Sequence, residues 1–209
     1  DRSPSRGLGD VYKRQDLTKD EYKGLYQLHN LGGGTAKTVF ASIISRYQDP
    51  DGDLGISDEG WEIAAKFLGN AHNIADGEDA VGSVIDGTYP MDEHWASGVL
   101  TEQKDRDYKF QIMTPDIGEP YVVESLAISA GTKKYDTCVA FLNWLGSSDV
   151  QLDWSNNYGT IPCQKEALDQ VSDDIKELME TLKPQDLDWS FIAENVDAWV
   201  EKAELEYVQ

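Results

Sequence analysis

Basic side chains are scarce in this sequence: 18 Lys and Arg stand against 39 Asp and Glu, a formal net charge of −21. Such a field repels phosphate and anionic surfaces, which excludes nucleic acid and an anionic membrane as partners. Cysteine is nearly absent. Cys138 and Cys163 are too few to report a redox compartment, and the sequence leaves a disulfide and two separate buried thiols both open. The three histidines, His29, His72 and His94, have no metal-ligand spacing, so no metal ligands are assigned and no cofactor is implied. No run of about 18 apolar residues occurs, so no membrane-spanning helix is expected. No repeat of 20–50 residues is visible.

What is present is a globular composition, 40% hydrophobic with six Trp and ten Tyr, enough for one sizeable domain or two small lobes. The opening stretch differs from the rest. Residues 1–15 are basic on balance (Arg2, Arg6, Lys13 and Arg14 against Asp1 and Asp10). "SRGLGDVYKRQ" is too short and polar for a secretory signal. Residues 5–15 resemble the in-frame translation of a transposon mosaic-end sequencing adapter. Residues 1–15 are therefore excluded from fold reasoning, and the natural protein is expected to carry more chain, including any signal peptide, ahead of Asp16.

Along the body, "YKGLYQLHN" (22–30) predicts a strand, followed by the turn "LGGGT" (31–35). Ala36, Val39, Phe40, Ile43, Ile44 and Tyr47 share one face of a helix. Ser57 caps a second helix, with Trp61, Ala64, Ala65 and Leu68 inward. Residues 78–87 predict a short helix, and 88–98 an extended piece ending near Trp95. "YKFQIMTP" (108–115) and "YVVESLAIS" (121–129) predict strands, the latter the most strand-like run in the chain. Helices are expected over 133–145, 148–156, 172–182 and 188–206, the last capped by Asp188. Strands alternating with helices predict α/β with a mixed sheet. In "DPDGDLGISDE" (49–59), Asp49, Asp51 and Asp53 are spaced as in a calcium loop. Leu54 and Gly60 occupy positions that need Gly and Glu, so the stretch reads as a solvated loop.

From Glu119 to Leu168 the sequence resembles bacterial extracellular solute-binding proteins, the capture subunits of ABC importers. The resemblance rests on Gly118-Glu119-Pro120 before a strand, "ESLAIS", "VAFLNWLGS" followed at once by "SDVQ", and the exit Tyr158-Gly159-Thr160-Ile161-Pro162. Upstream, "DLTKDEYKG" and "LGGGTAKTVFAS" are similar to the entry into the second lobe of iron, polyamine and phosphonate-type binders. The resemblance implies a bilobal, type II periplasmic-binding-protein-like α/β fold. Residues 16–110 would be the second lobe, 111–163 a return into the first, and 164–209 terminal helices on the second. It also implies a monomeric, non-catalytic protein at the cell surface or in the periplasm. Such a protein delivers a small solute to membrane permease subunits and touches the membrane only through them or a lipid anchor.

Eight residues are expected to meet the solute. Gly33, Gly34, Thr35, Ala36 and Lys37 combine close backbone approach, a helix N-terminus and a charge, which suits a phosphate, phosphonate, sulfonate or carboxylate. The resemblance places Trp95 as an aromatic wall and Glu124, with Tyr121, as a contact to an amine. Each also has a structural reading: a ligand-free turn, a core Trp, a partnered carboxylate. Together they imply an anionic or zwitterionic organic solute. The alternatives are an iron(III) or polyamine binder, and an enzyme on the same fold with Cys138 or Cys163 as nucleophile. Iron would call for clustered tyrosines, whereas Tyr22, Tyr26, Tyr89, Tyr121 and Tyr158 are scattered.

Overall fold

A computed structural model describes residues 14–208. They form two compact units. The first takes the chain through His94, then Gln111–Pro120, then everything from Lys183. The second takes Trp95–Phe110 and Tyr121–Leu182. The chain passes between the units at 94/95, 110/111, 120/121 and 182/183, so one crossing falls at the expected 110/111 and none at 163/164. Trp95 caps a helix that packs within the second unit. Residues 111–120 stay with the first unit because Glu119 exchanges backbone hydrogen bonds with Lys183 and Gln185, each 2.7 Å. Gly118, at φ 86°, lies against the Lys183 carbonyl, where any Cβ would sit 2.7 Å from that oxygen.

The first unit is built on a short parallel sheet of order β3-β1-β4, with β1 Tyr26–Leu28, β3 His72–Asn73 and β4 Met91–Asp92. All three residues of β1 are buried, the polar Gln27 included, as expected of a strand covered on both faces. The sheet is parallel rather than mixed. Antiparallel pairing occurs outside it, where β2 (Gln48–Asp53) bridges to Ile56.

Helices α1 (Gly34–Ile44) and α2 (Asp58–Asn70) bury the faces their periodicity predicts. The Ser57 hydroxyl accepts the Gly60 amide, as an N-cap should. Tyr26 stacks on Phe67 with ring centroids 5.7 Å apart, and its hydroxyl donates to the Phe67 carbonyl. Gln27, buried in the sheet, donates through Nε2 to the Ala80 carbonyl at 2.6 Å, tying β1 to α3 (Ala80–Asp86). Helix α9 (Trp189–Glu206), capped by Asp188, closes the core with Ile192, Trp199 and Ala203. Trp199 is fully buried and donates to the Leu54 carbonyl at 2.9 Å. The 49–55 turn stays largely exposed at Asp51, Asp53 and Leu54, while Ile56 behind it is buried and the Leu54 carbonyl accepts from Trp199.

The second unit is helical: α4 (Ala96–Arg106), α5 (Tyr135–Leu145), α6 (Ser148–Tyr158), α7 (Lys165–Leu168) and α8 (Asp173–Thr181). Its buried apolar side chains include Ala167, Val171, Ile175 and Leu178. Gly159 ends α6 at φ 68°, and a Cβ there would lie 2.9 Å from the Ser97 carbonyl of α4.

Neither 108–115 nor 121–129 forms a strand. β-propensity describes fit to a pleated, half-buried surface, and no described strand lies alongside to supply one. Val122, Val123 and Leu126 are accordingly 62%, 75% and 56% exposed. Helix α5 likewise has no buried residue. The adapter reading of residues 1–13 lies outside the described residues. Arg14 and Gln15, grouped with it, open a 3-10 helix (Arg14–Thr18) in which the Thr18 hydroxyl donates to the Gln15 carbonyl at 2.7 Å.

Candidate functional site

Parallel pairing sets the site. Tyr26 lies opposite Met91 and Gln27 opposite Asp92. Side chains on a strand alternate faces, so Asp92 and His94 share one face, and continuing the register sets His29 beside His94. The two imidazole rings are 6.3 Å apart between centroids. Asp92 Oδ2 lies 3.6 Å from His94 Nδ1. One donor atom from each of His29, Asp92 and His94 falls within 4.8 Å of the others. No other such group of three occurs among the described residues.

The cluster is secluded. The Asp92 side chain is 9% exposed and that of His94 13%. Asp92 Oδ1 and His29 Nε2 are buried and make no hydrogen bond among the described residues. Both carboxyl ends, of β1 and of β4, open onto this spot, which is where parallel α/β sheets present their ligands.

Helix α1 begins five residues beyond His29. Its N-cap is Gly33, in extended conformation, and the amides of Gly34, Thr35 and Ala36 have no intrahelical acceptor. Gly32 and Gly33 donate instead to Asn30, at 2.7 and 2.8 Å. None of the three glycines has a positive φ, and a Cβ on Gly34 would meet nothing within 4 Å. Glycine is therefore not demanded there by backbone twist.

The sequence-predicted contacts divide between the units. Gly33, Gly34, Thr35, Ala36 and Lys37 lie in the first, and Trp95, Tyr121 and Glu124 in the second. Lys37 turns to α9, where Nζ meets Asp197 at 2.9 Å, rather than to the helix N-terminus. Trp95 is 52% exposed and is not a core Trp. Glu124 was expected on a strand with a buried face; it is exposed on a segment that forms no strand, so no burial cost argues for a partner. Cys138 is half-buried and Cys163 exposed, and both are free thiols.

Sequence spacing gave no metal ligands because His29 and His94 are far apart in the chain. Only strand pairing joins them. The signal that was available is the i, i+2 pair Asp92 and His94 beside a histidine closing an apolar strand. At the other edge of the sheet His72 is already engaged, 2.9 Å from Glu78 and stacked on Tyr89 at 4.2 Å. The Glu78 carboxyl is held below its usual range by the Ala75 amide and then by His72.

Residues 11–183 match the family model described as bacterial extracellular solute-binding protein. The chain belongs to this family. A probable ABC transporter periplasmic-binding protein, y4fP of Sinorhizobium fredii, is similar at 34% identity over 194 residues, covering 93% of this chain and 54% of that protein. In fold, this solute-binding protein is similar to a ferric binding protein from Campylobacter jejuni (TM-score 0.75, 21% identity, 96% of this chain and 63% of that one). It is also similar to the apo ferric ion-binding protein A of Pasteurella haemolytica (TM-score 0.73, 17% identity, 93% and 61%). The chain thus spans about half to two thirds of the length of these relatives. The α/β periplasmic-binding-protein-like fold expected from the sequence is shared with them. No described helix is long and apolar enough to cross a membrane.

Proposed function

We propose that this chain is the solute-holding part of the capture subunit of an ABC importer, and that the solute sits at the carboxyl ends of β1 and β4. The observation that carries the reading is the convergence of His29, Asp92 and His94 at those ends, in a secluded position with buried polar atoms left over. The first turn of α1, from Gly34 to Ala36, adds amides without an intrahelical acceptor a few residues beyond His29. Family membership supports a small-molecule solute, delivery to permease subunits and an extracytoplasmic location.

The protein works as a non-catalytic monomer outside the cytoplasm. The cysteines do not favour an enzyme: Cys138 has Thr132 Oγ1 at 3.9 Å as its side-chain contact, and a hydroxyl is not a base. The test is a thermal-shift screen of this chain against metal salts, phosphonates, sugar phosphates and polyamines, repeated with His29→Ala/His94→Ala. Stabilisation of the wild type alone is expected. Equal stabilisation of both would move the solute elsewhere.

A further inference from the structure

The donor set narrows the solute. We propose that it is a divalent transition-metal ion of the borderline class, with zinc as its test representative, bound directly by His29, Asp92 and His94. This rests on the strand-end reading above.

Three features of the geometry point there. Two imidazoles and one carboxylate form a nitrogen-rich set suited to zinc, nickel or cobalt; a hard trivalent ion favours oxygen donors. The Asp92 carboxylate is nine-tenths buried with Oδ1 accepting no hydrogen bond among the described residues, and His29 Nε2 is likewise unused. A buried carboxylate so placed is costly unless a cation compensates it. The spacing is close to that of a loaded site. Two ligands on one tetrahedral zinc are about 3.3 Å apart, from metal–ligand bonds of about 2.0–2.1 Å. Asp92 Oδ2 and His94 Nδ1 are 3.6 Å apart, so side-chain movements of about an ångström close the set on an ion.

Three protein ligands also leave a coordination position open. That suits a cargo that must be released better than a closed structural site. The net charge of −21 raises the local concentration of any cation around the chain.

The experiment uses the tag-free 209-residue chain, stripped with EDTA and dialysed. Zinc chloride is titrated by calorimetry and by competition with a chromophoric chelator, and cobalt(II) chloride by its visible absorption. The wild type is expected to bind one zinc per chain and to give an intense tetrahedral-type cobalt band. His29→Ala, His94→Ala and Asp92→Asn are each expected to weaken zinc by at least about tenfold, with His72→Ala unchanged. His29→Gln and His94→Gln serve if an alanine variant loses its circular-dichroism spectrum. Zinc affinity unaltered in folded His29→Gln/His94→Gln, or wild-type binding no tighter than that variant's, overturns the proposal. If zinc fails while a phosphonate, sugar phosphate or polyamine stabilises the wild type but not the double variant, the metal assignment falls and the strand-end site stands. If those solutes stabilise both alike, both fall.

Discussion

Replacing Asp92 by Asn removes a charge from a place where the described residues do little to offset it. The side chain is 9% exposed, Oδ1 accepts no hydrogen bond, and Oδ2 reaches His94 only at 3.6 Å. A charged group buried without compensation costs more than the roughly 1–3 kcal/mol of an unsatisfied neutral polar atom, and only that excess is relieved by Asn. The long contact to His94 returns up to roughly 1 kcal/mol. Asn has the same shape without the charge, so Asp92→Asn is expected to stabilise the metal-free chain by about 1 kcal/mol. For a chain of this size that raises the Tm by about 2–4 °C. Adding zinc should reverse the order. A ligand at a hundred times its Kd stabilises by about 2.7 kcal/mol, a gain open to the wild type and largely closed to the variant. The assay is thermal denaturation followed by circular dichroism, once in EDTA and once in zinc. A variant that melts lower than the wild type in EDTA would refute the reasoning. It would mean that Asp92 is a satisfied structural group and that its leftover oxygen carries no argument for a ligand.

Other perturbations separate the packed first unit from the exposed parts of the second. Trp199→Ala removes a fully buried ring and its bond to the Leu54 carbonyl, and is expected to cost about 3–5 kcal/mol in chemical denaturation. Val123→Ser, at a side chain 75% exposed, should stay within about 0.5 kcal/mol; a large loss would show that 121–129 is packed. Gly159→Ala combines a positive φ with a Cβ at 2.9 Å from the Ser97 carbonyl and is expected to destabilise by more than about 1 kcal/mol. Glu78, whose folded carboxyl titrates below its usual range, contributes stability that is present above about pH 4.3 and is lost as the pH falls through its folded value. Protection of the Ala75 amide, corrected for intrinsic exchange, should therefore drop on acidification in the wild type and be flat in Glu78→Gln.

The helices of the first unit were legible because their signals are local. Apolar residues three and four apart mark α1 and α2, and Ser57 and Asp188 cap α2 and α9 with their own side chains. Helix α4 was missed because "ASGVLTEQKDR" carries little apolar face to find. Strands were legible only in part: β1 falls within the predicted 22–30 run and β4 within the extended 88–98 piece, but neither was bounded. Those of the sheet are two or three residues long, too short to show alternation, while the strongly β-prone 121–129 run has no described edge to pair with. The site shows the same split. The glycine turn could be read directly from "LGGGT", but its lysine is drawn off by Asp197 of α9, a partner remote in sequence. His29, Asp92 and His94 meet only through the register Gln27 to Asp92, and no spacing rule on one segment could assemble them.

The most direct measurement is the anomalous scattering at the zinc edge of crystals of this chain grown with zinc chloride. The account predicts one strong peak about 2.0–2.2 Å from a nitrogen of His29, an oxygen of Asp92 and a nitrogen of His94. Zinc bound stoichiometrically elsewhere, or no peak at the ends of β1 and β4, would contradict it.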